Sequence, residues 1–301
     1  MNGCFPITGT FIDEITYDIP SSNWSLKQWS DDLDNMKAVG MDTLVFIRGG
    51  FEGRTIFPSK NFFCLREDDF VDFILREAEK RDMKVYIGLY ISDLTWGDGD
   101  YKKEIEANKL FIPEVCKKYG EYKSFAGWYV PHEVATNIYN IGPLTKSLAS
   151  MCKDKTPDKK VVLSPFFREQ TSMHTPFTPE RFVDEWNEIF STFNGDVDIC
   201  AYQDGSASLN NAVEYFKAAK RLCDSYKISL WENVETFERD VRCLYFPIPF
   251  ELLRTKMKLL EPYVEKRITF EFSHFLSPQS IFPSARNLNK LYIEYYGGKN
   301  E

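Results

Sequence analysis

Eight apolar runs of strand length recur along this chain at intervals of 31 to 42 residues, and a segment of helical period lies between each pair. The runs begin near Ile7 (ITGTFI), Thr43 (TLVFIR), Val85 (VYIGLYI), Phe125 (FAGWYV), Val161 (VVLSPF), Val197 (VDICAY), Ile228 (ISLWE) and Ile268 (ITFEF). Each interval is room for one strand, one helix and two loops, an alternation that builds a parallel sheet, and eight such units close a barrel. The helix ends are marked. Ser25-Leu-Lys-Gln28 reads as a capping box opening a helix toward Val39 that stops at Gly40, and Thr178-Pro179 places an N-cap before a proline. Further helices are expected over 67–81, 102–119, 143–153, 209–226, 250–265 and 285–296. The chain is therefore predicted to be an α/β protein, a single (β/α)8 TIM barrel over residues 1–301. An open doubly wound sheet competes, but Thr10-Phe-Ile-Asp-Glu14, after the first strand, has none of the glycines of a dinucleotide fold.

Several function classes drop out. A net charge of −8 with no basic run leaves no footprint for nucleic acid. Three histidines, His132, His174 and His274, without a His-x-His or HExxH spacing point to a site with no metal. No nucleotide motif asks for a cofactor. No lysine stands at a strand's carboxyl end, which removes Schiff-base chemistry. Gly49-Gly50-Phe-Glu-Gly53 offers a weak phosphate nest in acidic surroundings. Seven cysteines, Cys4, Cys64, Cys116, Cys152, Cys200, Cys223 and Cys243, show no Cys-x-x-Cys pair and read as free thiols, so a cytoplasmic location is expected. The alternative is an exported or lipid-anchored protein whose leader has been removed, with Gly3-Cys4 as the remnant of the attachment site. No stretch is long enough for a membrane span.

In a barrel of this kind the chemistry lies at the carboxyl ends of the strands. The fourth run, Phe125-Ala-Gly-Trp-Tyr-Val, stops at Pro131 and delivers His132 and Glu133 just beyond it. Set against Trp128, Tyr129 and Val130, the Glu133 carboxyl has its charged form disfavoured, which suits a general acid/base. The seventh run delivers Glu232, Asn233 and Glu235. Two carboxylates on different strands of one mouth, with aromatic platforms around them, are the set that glycoside hydrolysis needs.

At these residues a resemblance appears. Gly127-Trp-Tyr-Val-Pro-His-Glu133 and Leu230-Trp-Glu-Asn-Val-Glu-Thr-Phe237 resemble the motifs of a poorly characterised family of glycosyl-hydrolase-like TIM barrels, related in architecture to the clan A retaining glycosidases. The resemblance covers essentially the whole chain. It implies a retaining glycoside hydrolase acting on an oligosaccharide or glycoconjugate, with Glu133 as acid/base and a nucleophile on the seventh strand. His132 stands where clan A enzymes usually carry an asparagine. The family pattern favours Glu235 as nucleophile, whereas Glu232 is nearer the strand end and is the second choice. Tyr202 resembles the tyrosine that often hydrogen-bonds the nucleophile in clan A. Arg48, Trp96, His132, Gln203, Trp231, Asn233 and His274 complete the candidate substrate-binding set. The alternative function is a catalytically silent barrel that binds carbohydrate or a protein partner. In that case the carboxylates are expected in buried arginine pairs rather than facing one cleft. Nothing in the chain marks its oligomeric state.

Overall fold

The computed structural model describes residues 4–16, 19–93, 96–97, 99–135, 141–169, 177–242 and 244–297. Eight parallel strands close a barrel: β1 (Gly9–Ile12), β2 (Thr43–Phe46), β3 (Lys84–Gly88), β4 (Phe125–Val130), β5 (Lys160–Leu163), β6 (Ile199–Gln203), β7 (Ser229–Glu235) and β8 (Lys266–Phe270). Neighbours in sequence are neighbours in the sheet. The ring closes where Gly9 pairs with Ile268 and Thr10 with Thr269. The spacing of the apolar runs thus predicts the architecture correctly.

The helices are α1 (Leu26–Ala38), α2 (Phe70–Lys80), α3 (Lys102–Tyr119), α4 (Ile141–Lys155), α5 (Pro179–Ser191), α6 (Ala212–Tyr226), α7 (Phe250–Leu260), the single turn α8 (Phe272–Phe275) and α9 (Pro283–Tyr296). The capping box at Ser25 forms as expected, with both reciprocal hydrogen bonds, and Thr178 caps α5. Several ends differ from expectation by two residues or more, and two of them have a clear local cause. The α2 helix starts at Phe70 rather than near Glu67, because the Asp69 side chain accepts from the Asp72 N–H and fixes the N-cap there. The α7 helix stops at Leu260, where Glu261–Tyr263, with Pro262 inside, tightens into a 3-10 turn.

Period-2 alternation sorts each strand's side chains into two layers. Phe11, Val45, Tyr129, Ile199, Ala201, Trp231 and Ile268 fill the barrel interior, with Phe11 and Tyr129 in edge contact at 5.0 Å. Leu44, Trp128, Tyr202, Leu230 and Val234 face the helices.

Two additions decorate the mouth. A hairpin of Phe237–Arg239 against Tyr245–Pro247 rises after β7. A small sheet after β2 contains Gly50–Phe51 paired with Arg54–Thr55. Between those two short strands Glu52 (φ 46°) and Gly53 (φ 82°) make a left-handed two-residue turn, so the glycine run is a hairpin turn rather than a phosphate nest. The described cysteines are free, and Cys243 lies outside the described residues. Cys4 is buried, with its Sγ 3.2 Å from Arg267 Nη1. Among the described residues no helix is long and apolar enough to cross a membrane.

Candidate active site

The β4 strand ends at Val130, as the proline predicts, and the next turn presents Glu133 to the mouth of the barrel. Tyr129, whose ring fills the interior, donates its hydroxyl to Glu133 Oε1 at 2.9 Å. Glu133 keeps part of its surface open. Burial nevertheless pushes its pKa up, opposed by the Tyr129 hydrogen bond, the Arg48 cation and a contact from Gln203.

On β7 the alternation decides between the two candidate nucleophiles. Trp231, Asn233 and Glu235 share the inner face, whereas Glu232 points outward with Leu230 and Val234. Its carboxylate meets Arg267 of β8, the residue directly opposite in register, with Arg267 Nε 2.7 Å from Glu232 Oε2 and both side chains fully buried. The second choice for nucleophile is therefore corrected: Glu232 is a structural ion-pair partner behind the barrel wall.

Glu235 stands in the mouth. It lines a cavity of about 160 Å³ together with Glu133, Gln203, Asn233, Arg239 and Tyr245. Burial, then the neighbouring Asp204 charge, push its pKa up to about 7, while Lys256 and Arg239 work in the opposite direction. The Asp204 carboxylate accepts the Glu235 backbone N–H at 2.9 Å and holds Lys256 Nζ at 2.8 Å, and Lys256 also reaches the Glu235 carbonyl oxygen at 3.3 Å. The carboxylate of Glu235 rests directly on Gly205, where a Cβ would fall 1.8 Å from Oε2. Glycine is required there by this close approach rather than by its dihedral freedom.

Gln203 Nε2 donates to the Ser164 carbonyl at 2.9 Å, and Asn233 Nδ2 donates to Ser164 Oγ at 2.9 Å. These bonds leave Asn233 Oδ1, and also Glu235 Oε1, buried without a hydrogen-bond partner among the described residues. Such atoms suit a ligand hydroxyl, since a buried acceptor left unpaired is costly. Arg48, half-buried, lies over Phe51 at 4.8 Å and carries its charge toward Glu133.

Other candidates fall elsewhere. Tyr202 points outward, stacks on Phe167 at 5.0 Å and packs among Phe182 and Trp186, so it hydrogen-bonds no nucleophile. Trp231 lies low in the barrel, paired in register with the first residue of β8 and in edge contact with Tyr86. His132 turns away onto Glu104 of α3, with Nε2 3.1 Å from Oε2, and Trp96 packs edge-on against it at 5.1 Å. His274 borders a separate cavity and contacts the buried Glu271 at 3.0 Å. Asp204, Gly205, Lys256, Arg239 and Tyr245 were missed as site residues. Asp204 and Gly205 follow β6 directly and carried a usable positional signal, whereas Lys256 and the hairpin pair reach the mouth only through tertiary packing. No group of three or more His, Cys, Asp or Glu residues among those described could hold a metal ion.

Comparison with known proteins places this geometry in context. The sequence profile of a family described as a domain of unknown function (DUF4434) matches residues 7–282. None of the curated proteins matches the chain. The chain is similar to a crystal structure described as a candidate α-L-fucosidase from Bacteroides thetaiotaomicron, with 39% identity, a TM-score of 0.92, and 98% of this chain and 94% of that chain covered. It resembles the intracellular xylanase of Thermoanaerobacterium saccharolyticum at 13% identity and a TM-score of 0.54, covering 88% of this chain and 85% of that one. It also resembles a β-galactosidase from the psychrophilic Marinomonas ef1 at 10% identity and a TM-score of 0.62, covering 96% of this chain and 59% of that one. The last two likenesses concern the fold alone.

Proposed function

This chain belongs to the DUF4434 family of unknown function, and we propose that it is a retaining glycoside hydrolase with Glu133 as acid/base and Glu235 as nucleophile. The observation that carries this reading is that the two carboxyls, delivered by β4 and β7, line one cavity at the mouth. Glu133, protonated, gives its proton to the glycosidic oxygen as the bond to the anomeric carbon breaks. Glu235, ionised, attacks that carbon to form a glycosyl ester. Glu133, now anionic, takes a proton from water, whose oxygen displaces Glu235. Asn233 Oδ1 and the amide of Gln203 are placed to hold ring hydroxyls, and Arg239 at 3.8 Å from Glu235 Oε1 supports the ionised form. A retaining enzyme needs the two carboxyls about 5–5.5 Å apart.

The relative at 39% identity makes α-L-fucosides the first substrates to try, followed by aryl β-xylosides, β-galactosides and polysaccharides. The test compares the wild type with Glu133→Gln and Glu235→Gln on this panel, with the anomer of the first product read by NMR. Turnover with retention, lost in Glu235→Gln and unaffected by EDTA, is the expected result. Carbohydrate binding without turnover on any member would favour the silent binding barrel. Inverted product, or loss of activity in EDTA that added metal restores, would overturn the mechanism.

A further inference from the structure

Beside the central cavity lies a larger one of about 410 Å³, over the ends of β1, β2 and β8 and under the hairpin that follows β7. The two share Ile47, Tyr245 and Phe270 as common walls. Their chemistry differs. The larger cavity is walled by rings: Phe275 stacks on Phe282 at 5.9 Å and 14°, and Tyr245 and Phe246 overhang it, each roughly two-fifths exposed. Most of its polar residues are held by protein partners. Asp13 Oδ1 accepts the backbone N–H groups of Ile15 at 2.9 Å and Thr16 at 3.1 Å, its Oδ2 accepts from the Thr16 hydroxyl, and His274 is held by Glu271 and Ser21. Arg48 lays its guanidinium over Phe51, with its buried Nε left without a hydrogen-bond partner, and is a polar group of this wall still able to donate.

A second sugar lodged there would bury most of its hydroxyls against rings, with the Arg48 guanidinium as the main group to answer them. The central cavity, by contrast, holds the carboxylates and the free acceptors, and at about 160 Å³ it is small beside the roughly 300–1,000 Å³ of a typical ligand site. It suits one sugar ring. Arg48 connects the two spaces, since its charge acts on Glu133 while its side chain lines the apolar cavity. With Ile47, Tyr245 and Phe270 walling both, the apolar cavity lies directly beside the space that holds the two carboxyls, within reach of the group that leaves the sugar.

We propose that the larger cavity is the aglycone site, and that the substrate is a glycoside of an apolar alcohol or phenol rather than an oligosaccharide. The inference rests on the glycosidase reading, yet it is tested separately. The methyl and octyl glycosides of α-L-fucose, β-D-galactose and β-D-xylose form pairs with the same sugar and leaving groups of similar basicity. Differences within a pair therefore report contact with the alkyl chain. Each methylene removed from water multiplies affinity by about fourfold, so covering half of the octyl chain gives a preference on the order of 100-fold. Binding is measured by calorimetry on Glu133→Gln, which cannot consume the ligand efficiently, and kcat/KM on the wild type.

The expected result is octyl preference on at least one sugar, flattened by Phe246→Ser or Leu244→Ser on the exposed arm of the hairpin. Octyl preference in binding with no turnover by the wild type would uphold the apolar site and overturn the hydrolase reading. Turnover with equal affinity for methyl and octyl, or a preference for fucosylated oligosaccharides over octyl fucoside, would overturn the aglycone site alone. Octyl preference that both hairpin variants leave intact would place the chain elsewhere and likewise overturn it, as would absence of octyl preference in every pair.

Discussion

Glu232 of β7 faces Arg267 of β8 across the sheet ladder with 2.7 Å between Oε2 and Nε, on the opposite side of the barrel wall from Glu235. The two glutamates stand three positions apart, and an odd step along a strand changes face. One carboxylate is thereby assigned to the helix-facing layer and the other to the mouth.

The two glutamates should accordingly fail in different ways. Glu232→Gln leaves the Arg267 charge buried without its counter-ion, a change that costs about 3–5 kcal/mol of stability, while folded protein retains turnover. Glu235→Gln is expected to abolish turnover and leave the melting temperature the same or higher, since it removes a buried charge beside Asp204. Thermal melts and single-turnover kinetics on both variants read this out. The opposite pattern would return the nucleophile role to Glu232.

Glu133→Gln keeps the shape of the side chain and its contact with Tyr129. It removes the proton. Turnover of substrates with poor leaving groups is expected to fall on the order of 10²–10⁴-fold, while aryl glycosides with acidic leaving groups suffer less in the first step. Added azide should restore turnover by attacking the glycosyl-enzyme without a base. An equal loss on all substrates, with no azide effect, would remove Glu133 from the acid/base role.

The pH dependence follows from the same pair. As the proposed nucleophile Glu235 must be ionised to attack, and burial with the Asp204 charge puts its pKa at about 7. The acidic limb of kcat/KM is thus expected to have its midpoint near neutrality, with a decline at higher pH as Glu133 loses its proton. Lys256 favours the ionised form, so Lys256→Met should move the acidic limb upward and Lys256→Arg should restore it. Stability runs the other way. Below the unfolded value of 4.5 both states hold the proton and the full stability is present. As pH rises through about 7 the unfolded chain has released a proton that the folded chain retains longer, and stability on the order of 3 kcal/mol is lost. The melting temperature of wild type relative to Glu235→Gln should therefore drop between pH 4.5 and 7.5. A constant difference would show that Glu235 titrates normally.

The barrel was legible because its signal is repetition: eight apolar runs at near-constant intervals outweigh any ambiguous boundary. The place of Glu133 just beyond β4 was legible because Pro131 marks the strand end. The failures share one physical cause, the direction in which a side chain leaves the strand. Tyr202 and Glu232 both stand one residue out of phase with the true inner set, Ala201 and Gln203 on β6, Trp231 and Glu235 on β7. Counting inward positions from Trp231 would have excluded Glu232. Lys256 offered no such route, because its place beside Asp204 is set by how α7 docks, and no local pattern carries that distance.

Gly205 supplies the sharpest test of how the proposed nucleophile is held. A methyl group there would lie 1.8 Å from Glu235 Oε2 and 2.7 Å from Oε1, so in Gly205→Ala the carboxylate must swing aside. The atoms that yield are the far end of a flexible side chain, and the Glu235 backbone stays tied to Asp204 through its N–H. Little stability should be lost. Catalysis is less forgiving, because displacing a reacting group by about 1 Å costs on the order of 10²-fold. Gly205→Ala is therefore expected to lower kcat by that factor with KM and melting temperature nearly unchanged. Gly53→Ala, in the left-handed turn of the other hairpin with open space around it, shows the reverse, a loss of stability from its φ of 82° with turnover retained. If Gly205→Ala retained full kcat, the carboxylate resting on that glycine would not be the group that attacks, and the nucleophile assignment would fall with it.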